Sequence, residues 1–256
     1  MIIENLLPLV FIFLFVATIY SSVGFGGGSS YIAFLIFFGV SYQIAPTVAL
    51  TCNLVVTAGT TFHFIKNKQL SLKYAAPFVI ASIPLAFVGG MLRVQEIFFL
   101  FILGITLLLA AIKMFLFQKN RFDQHAYEKK PPFIAALCLG GAIGFLSGIV
   151  AIGGGVFLTP ILYFFKWGTP KKIAATAAFF IGVNSLAGLI GQFKKGVDLG
   201  EVLAYWPLVI VVFLGSQFGS FLIHRKFSQR IVAIFTAVLI LVISLRILYK
   251  VIFASL

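Results

Sequence analysis

The sequence predicts an all-α polytopic membrane protein made of two homologous repeats of about five segments each, four long and one short. The repeats are expected to be inverted relative to one another, with about 8 to 10 transmembrane helices in total. Three observations carry this expectation. Of the 256 residues, 61% are hydrophobic and 10% charged, with a mean hydropathy of +1.14, too little polar surface to cover a water-soluble globule. Apolar runs of about the 20 residues that a helical crossing needs alternate with short polar or basic loops. A dense glycine cluster, Gly24-Phe25-Gly26-Gly27-Gly28-Ser29-Ser30, closes the first apolar run, and a second, Gly148-Ile149-Val150-Ala151-Ile152-Gly153-Gly154-Gly155, closes the corresponding run after the middle of the chain.

The N-terminal repeat is assigned to residues 1–117. Leu6 to about Ser22 is long enough to span and stops at the glycines; Glu4 stands where a signal peptide would carry Lys or Arg, so this segment is expected to be retained. Tyr31 to Phe38 is too short to cross, about 12 Å as a helix. Ile44 to Ile65 is a full span rich in Ala, Thr and Gly, with Asn53 inside it, and it ends at Lys66-Asn67-Lys68. Small residues let backbones approach closely in a bilayer, so this helix is expected inside the bundle. Tyr74 to Leu92 follows with Pro77 and Pro84 as kink points. Ile97 to Phe117, rich in Leu and Phe, suits lipid contact, as do the 31 Phe residues generally.

Residues 118–132 form a polar linker ending in Pro131-Pro132. The C-terminal repeat, 133–256, then spans from Phe133 to Ile152, has a short segment from Val156 to Phe165, and continues with a small-residue helix from Ile173 to Phe193. Thr169 is the expected cap of that helix, with Pro170 at its first position. Val202 to Ile223 and Ile231 to Phe253 complete the set.

Direct alignment of the halves supports repetition beyond shared hydropathy. A shift of 127 places Gly26, Gly27 and Gly28 on Gly153, Gly154 and Gly155, and Phe37-Phe38 on Phe164-Phe165. With Lys166-Trp167 as an insertion, a shift of 129 then places Ile44, Ala45, Thr47, Ala49, Ala58-Gly59, Phe64, Lys66 and Leu70 on identical residues. If the short segments cross, the halves are inverted and Lys and Arg divide 14 to 5 between the two sides; if they dip and return, the division is 12 to 7. The positive-inside rule prefers the steeper division, with both termini outside and the linker in the cytoplasm of a multi-pass cell-membrane protein.

The net charge of +13 does not indicate nucleic acid, because the Lys and Arg residues sit in loops and near helix ends with no basic face interleaved with aromatics. Cys52 and Cys138 lie in apolar runs without a CxxC partner and are expected to be packing thiols. Glu4, Glu96, Asp123, Glu128, Asp198 and Glu201 all fall at ends or in loops, and His63, His125 and His224 lie near segment ends or in the linker. A proton or sodium relay leaves such groups at depth, and a metal-cation path needs clustered oxygen ligands. No cofactor or metal is expected. A membrane-embedded enzyme would need a nucleophile, base or metal cluster, and no HxxE, CxxC or paired carboxylate lies at membrane depth.

An anion path needs none of these. Glycines leave backbone N–H groups open, and a helix beginning just after them adds the positive end of its dipole. The candidate binding residues are therefore Gly26, Gly27, Gly28 and Ser29 from one half and Gly153, Gly154 and Gly155 from the other, against the alternative that both clusters only permit tight helix crossing. Thr47, Thr51 and Asn53, with Thr176, Asn184 and Ser185, are the polar groups expected to face a central cavity; interhelical hydrogen bonding is the competing role for each. Ser21, Ser22 and Gln43 are weaker candidates.

The paired glycine clusters, each followed by an Ala/Thr helix, resemble the TauE/SafE sulfite exporters, also called TSUP permeases, over nearly the whole chain. That resemblance implies a bacterial or archaeal cytoplasmic-membrane transporter of sulfite, sulfonates or related small sulfur anions. Family patterns often put Pro soon after the cluster; Pro160 matches, whereas Ala33 occupies the equivalent place in the first half. The expected function is secondary transport of such an anion by alternating access between the repeats, with a passive anion channel as the alternative.

Overall fold

The computed structural model describes residues 2–22, 26–117, 130–222, 238, 241–249 and 251–252, and every regular element among them is a helix. In order these are α1 (Ile2–Ser22), α2 (Gly28–Phe37), α3 (Ala45–Lys66), α4 (Leu72–Met91), α5 (Glu96–Phe117), α6 (Phe133–Val150), α7 (Gly155–Phe164), α8 (Pro170–Lys195), α9 (Leu199–Leu203) and α10 (Trp206–Leu222), with further helix over 241–249 and 251–252. Gly24 and Phe25, residues 118–129 of the linker with Lys119, Arg121, Asp123, His125, Glu128 and Lys129, then His224, Arg225, Lys226, Arg230 and Lys250, and much of the expected Ile231–Phe253 span lie outside the described residues.

This is an all-α, multi-pass membrane protein. Residues Ala45–Lys66, Leu72–Met91, Phe133–Val150 and Lys171–Lys195 form helices long and apolar enough to cross a bilayer. Phe11, Phe15, Ile80, Phe98, Ile134, Phe213 and Phe218 all point outward, a surface that suits lipid and would aggregate in water. The short segments are α2 and α7, of 10 residues each.

Local chemistry accounts for the ends. Thr169 caps α8, its side chain accepting the Lys172 N–H, and Pro170 takes the first position, where no donor is needed. Pro77 and Pro84 both lie inside α4. The expected Val202–Ile223 span is divided: α9 runs Leu199–Leu203, capped by Asp198 Oδ1 on the Gly200 N–H at 2.8 Å, and α10 restarts at Trp206. The break falls before Pro207, which tolerates the first turn of a helix better than its interior.

Glycines on α6 set its crossing with α4. A Cβ added at Gly140, Gly144 or Gly148 would run into the backbone carbonyl oxygens of Phe78, Ser82 and Ala86, so the two backbones touch along one stripe, where only glycine leaves room. On its other side α4 meets α8, with Gly90 against the Gly188 carbonyl and Gly191 against that of Phe87. Helix α10 crosses α1 in the same manner, Gly215 and Gly219 facing the carbonyls of Leu14 and Thr18. Packing therefore exchanges helices across the linker. One buried core joins residues of α1, α2, α3 and α5 to Leu208 and Val212 of α10. The other joins Phe78 and Val79 of α4 to Ile143, Leu158, Leu162, Ile173 and Phe180.

Two expectations need correction. Cys52 is buried, but Cys138 is exposed on α6. The phenylalanines are not all lipid-facing: Phe13, Phe78, Phe99 and Phe180 are fully buried. Two of these stand beside the glycine clusters, Phe180 against Gly154 and Phe13 stacked at 4.7 Å on Tyr31, which covers Gly27. Large rings fill the volume that missing side chains leave.

Candidate functional site

Each glycine cluster is a helix break with the same backbone logic. Helix α1 ends at Ser22 and α6 at Val150. The chain then turns through left-handed conformations: φ is 87° at Gly27, 58° at Ala151, 83° at Gly153 and 79° at Gly154. Glycine takes such angles without penalty. Gly27 and Gly154 cap α2 and α7, and neither helix has a side-chain cap. The Gly27 carbonyl accepts from Ser30 and Tyr31, and the Gly154 carbonyl from Phe157 and Leu158. The N–H groups of Gly28, Ser29, Gly155 and Val156 precede those bonds and have no intrahelical acceptor.

The two breaks meet. A Cβ on Gly28 would come within 2.5 Å of the Ile152 carbonyl oxygen, and the Asn53 side chain lies against Gly26, Gly28 and Gly153 together. Asn53 is the ninth residue of the 22 in α3, so it approaches from the middle of a long helix. Its Nδ2 donates to Ser185 Oγ on α8 at 2.9 Å and, at 3.5 Å, to the Ile152 carbonyl. Thr57, one turn further along α3, donates to the Asn53 carbonyl at 2.7 Å and faces both Gly26 and Gly182. Asn53, Thr57 and Ser185 have no solvent exposure.

Of the residues anticipated from sequence, Gly26, Gly28, Asn53, Gly153 and Ser185 are brought into one cluster. Gly27 faces the Tyr31 ring, Gly154 faces Ile143 and Phe180, and Gly155 faces Ile181. Ser29, Thr47 and Thr176 are buried, and their hydroxyls have no partner among the described residues. Thr51 is not with Asn53: two residues apart on a helix is about 200° around the axis, and its hydroxyl donates to the Thr47 carbonyl. Asn184 donates to the Phe180 carbonyl of its own helix, leaving its Oδ1 without a partner among the described residues. Ser21 donates to the Thr18 carbonyl at the α1–α10 crossing, and Gln43 is in an exposed loop.

Thr57, Tyr31 and the Ile152 carbonyl are additions that sequence reasoning missed. Thr57 was findable, being four residues from Asn53 and so on the same helix face. Tyr31 was findable as the residue four after Gly27, whose side chain leans back toward the helix start.

The side chains meeting Asn53 carry no charge, and no group of three His, Cys, Asp or Glu residues that could hold a metal exists among the described residues. What remains is the uncapped N-termini of α2 and α7, where unpaired N–H groups and helix dipoles favour an anion.

The family model described as sulfite exporter TauE/SafE matches residues 9–247. The chain is 35% identical over 241 residues to the probable membrane transporter protein y4hK of Sinorhizobium fredii, covering 93% of this chain and 96% of that one. It is 25% identical over 278 residues to the probable membrane transporter protein YunE of Bacillus subtilis, covering 96% and 98%. A probable membrane transporter protein of Methanocaldococcus jannaschii is 28% identical over 245 residues, covering 88% and 89%. No solved structure matches the chain.

Proposed function

Because the chain belongs to the sulfite exporter TauE/SafE family, a family of membrane transporters, we propose that it is a secondary transporter of small anions, with sulfite, organosulfonates or related sulfur oxyanions as substrates. It acts as a carrier and not as an enzyme. The observation that carries this reading is the meeting of the two glycine breaks, Gly26, Gly28 and Gly153, at one buried Asn53, with the uncapped starts of α2 and α7 following directly in the chain. Broken helices whose half-helix ends face one another at mid-span are how secondary transporters hold anionic groups without a buried cation.

Alternating access is the proposed mechanism, with the anion held near the midplane between residues 1–117 and 133–256. Two features support it. The cluster is buried on all sides, so an anion reaches it only when helices move. The exchange of α4 and α10 between the two cores makes each half lean on the other, as inverted repeats that rock about a shared site require. We further propose that both termini face outside and residues 118–132 face the cytoplasm; cytoplasmic activity from a reporter fused after Leu256 would overturn that topology.

Counterflow tests the carrier directly. Purified protein in liposomes loaded with unlabelled hydrogen sulfite is expected to accumulate labelled hydrogen sulfite transiently and with saturation. Linear flux without accumulation would identify a pore.

A further inference from the structure

Asn53 is satisfied on one side only. Its amide nitrogen is engaged by Ser185 Oγ at 2.9 Å and the Ile152 carbonyl at 3.5 Å. That carbonyl also fixes which way the amide points, since it takes only a donor. The other end, Oδ1, lies in the first break against Gly26 and accepts no hydrogen bond among the described residues, although Asn53 is fully buried. A buried acceptor left unmet is costly. The groups around it are able to donate. The N–H groups of Gly28 and Ser29 open α2 without a cap. The hydroxyls of Ser29 and Tyr31 are buried without partners among the described residues. The Tyr31 hydroxyl is folded back to 3.1 Å from where a Gly27 Cβ would stand.

Among the described residues, the first break thus sets one amide acceptor that no residue meets beside several groups able to donate. Resting on the anion-transporter reading, we infer that the transported substrate carries a hydrogen-bond donor beside its sulfur oxygens, with the oxygens on the α2 N-terminus and the donor on Asn53 Oδ1. Two kinds of small sulfur compound have that chemistry: a singly protonated oxyanion such as hydrogen sulfite, and an aminoalkanesulfonate such as taurine, a zwitterion whose ammonium group donates beside its anionic sulfonate. Sulfate, fully ionised sulfite and simple alkanesulfonates would instead turn an oxygen lone pair or a methyl group toward Oδ1. Sites built around a buried hydrogen-bonding group reject the analogue that lacks the partner far more strongly than apolar pockets reject a changed methyl.

Equilibrium binding to the purified full-length protein in nanodiscs tests this with two matched pairs, at one pH below the second ionisation of sulfurous acid. The pairs are hydrogen sulfite against methanesulfonate and taurine against ethanesulfonate. At least a tenfold preference for the donor-bearing member is expected in one pair, and the pair that shows it identifies the donor. Asn53→Ala is expected to narrow that preference to within about twofold; a preference left intact in the variant would overturn the assignment to Asn53. The wild-type pairs are read on folded protein whatever the variant does. Equal binding within both pairs would overturn the inference and leave the anion-transporter reading standing, whereas binding of none of the four would overturn both.

Discussion

Gly27 and Gly154 cap α2 and α7 with φ of 87° and 79°, each opens a helix of 10 residues, and neither helix start has a side-chain cap. Their neighbours differ. Around the first break stand Asn53, Thr57, Tyr31 and Ser29, all with hydrogen-bonding groups; in the second, Gly153 shares Asn53 and meets Ser185, but Gly154 and Gly155 stand mainly among Ile143, Phe180 and Ile181, with Ser147 beside Gly154. The position that the 129 shift pairs with Asn53 is Gly182, whose open side faces Thr57 Oγ1, 3.3 Å from an added Cβ. One amide fills the space between the breaks, and the matching position is bare. Equal backbones therefore do not make equal sites: glycine decides where the chain breaks, and the adjoining long helix decides what chemistry the break meets.

The largest expected effect treats the breaks alike. Gly27→Val and Gly154→Val each force a β-branched residue into a left-handed conformation and into a neighbouring ring, so each is expected to cost about 3 kcal/mol or more. Thermal unfolding in detergent measures it, and a stable valine variant at one break alone would show that the two backbones are not equivalent.

Next comes the pair that separates them, at glycines without positive φ. Gly26→Ala meets Asn53 and Thr57, whereas Gly155→Ala meets Ile181. Both are expected to lose about 1 to 3 kcal/mol of stability from overpacking, but anion affinity of the folded protein falls at least about tenfold only for Gly26→Ala, by loss of the bound amide geometry. Equal losses of affinity at both sites would remove the distinction between the breaks.

A smaller effect is expected at the bridge itself. Ser185→Ala leaves an Asn53 amide hydrogen unmet, for about 1 to 2 kcal/mol, and a double-mutant cycle with Asn53→Ala is expected to give a coupling of at least about 0.5 kcal/mol. Additive effects would mean that the 2.9 Å bond contributes nothing. The smallest effect is at Ala151, left-handed and fully buried against Leu50 and Leu189. Ala151→Gly relieves about 1 kcal/mol of backbone strain and loses about 0.8 kcal/mol of buried methyl, so its unfolding temperature is expected to stay close to that of the parent.

Much of this was legible in residue order, for identifiable reasons. Runs of about 20 apolar residues have one stable solution in a bilayer, a helix that satisfies its own backbone, and α3, α4, α6 and α8 follow those runs. Thr169-Pro170 carries its capping chemistry in two adjacent side chains, and the cap forms as expected. The split of Val202–Ile223 was less visible, because no charged residue interrupts the run between Val202 and Leu222 and only Pro207 marks the restart. Within the candidate site, residue type alone singled out Asn53 and Ser185, which the structure sets beside the breaks, and Thr51, which it does not, since composition does not say which way a helix is rotated.

By itself the sequence determined that the chain is a bundle of membrane helices, that it breaks at two glycine clusters, and that its charged residues fall at the ends of the apolar runs or between them. These are local properties, set by the cost of unpaired backbone or charge in hydrocarbon and by glycine's access to positive φ. Tertiary structure alone decided that the breaks touch, that Asn53 rather than its counterpart Gly182 stands between them, and that its Oδ1 is left without a partner among the described residues. Those outcomes depend on the rotation and crossing of α3 and α8, which bring together side chains as much as 132 positions apart, and close packing of that kind leaves no periodic mark on the chain.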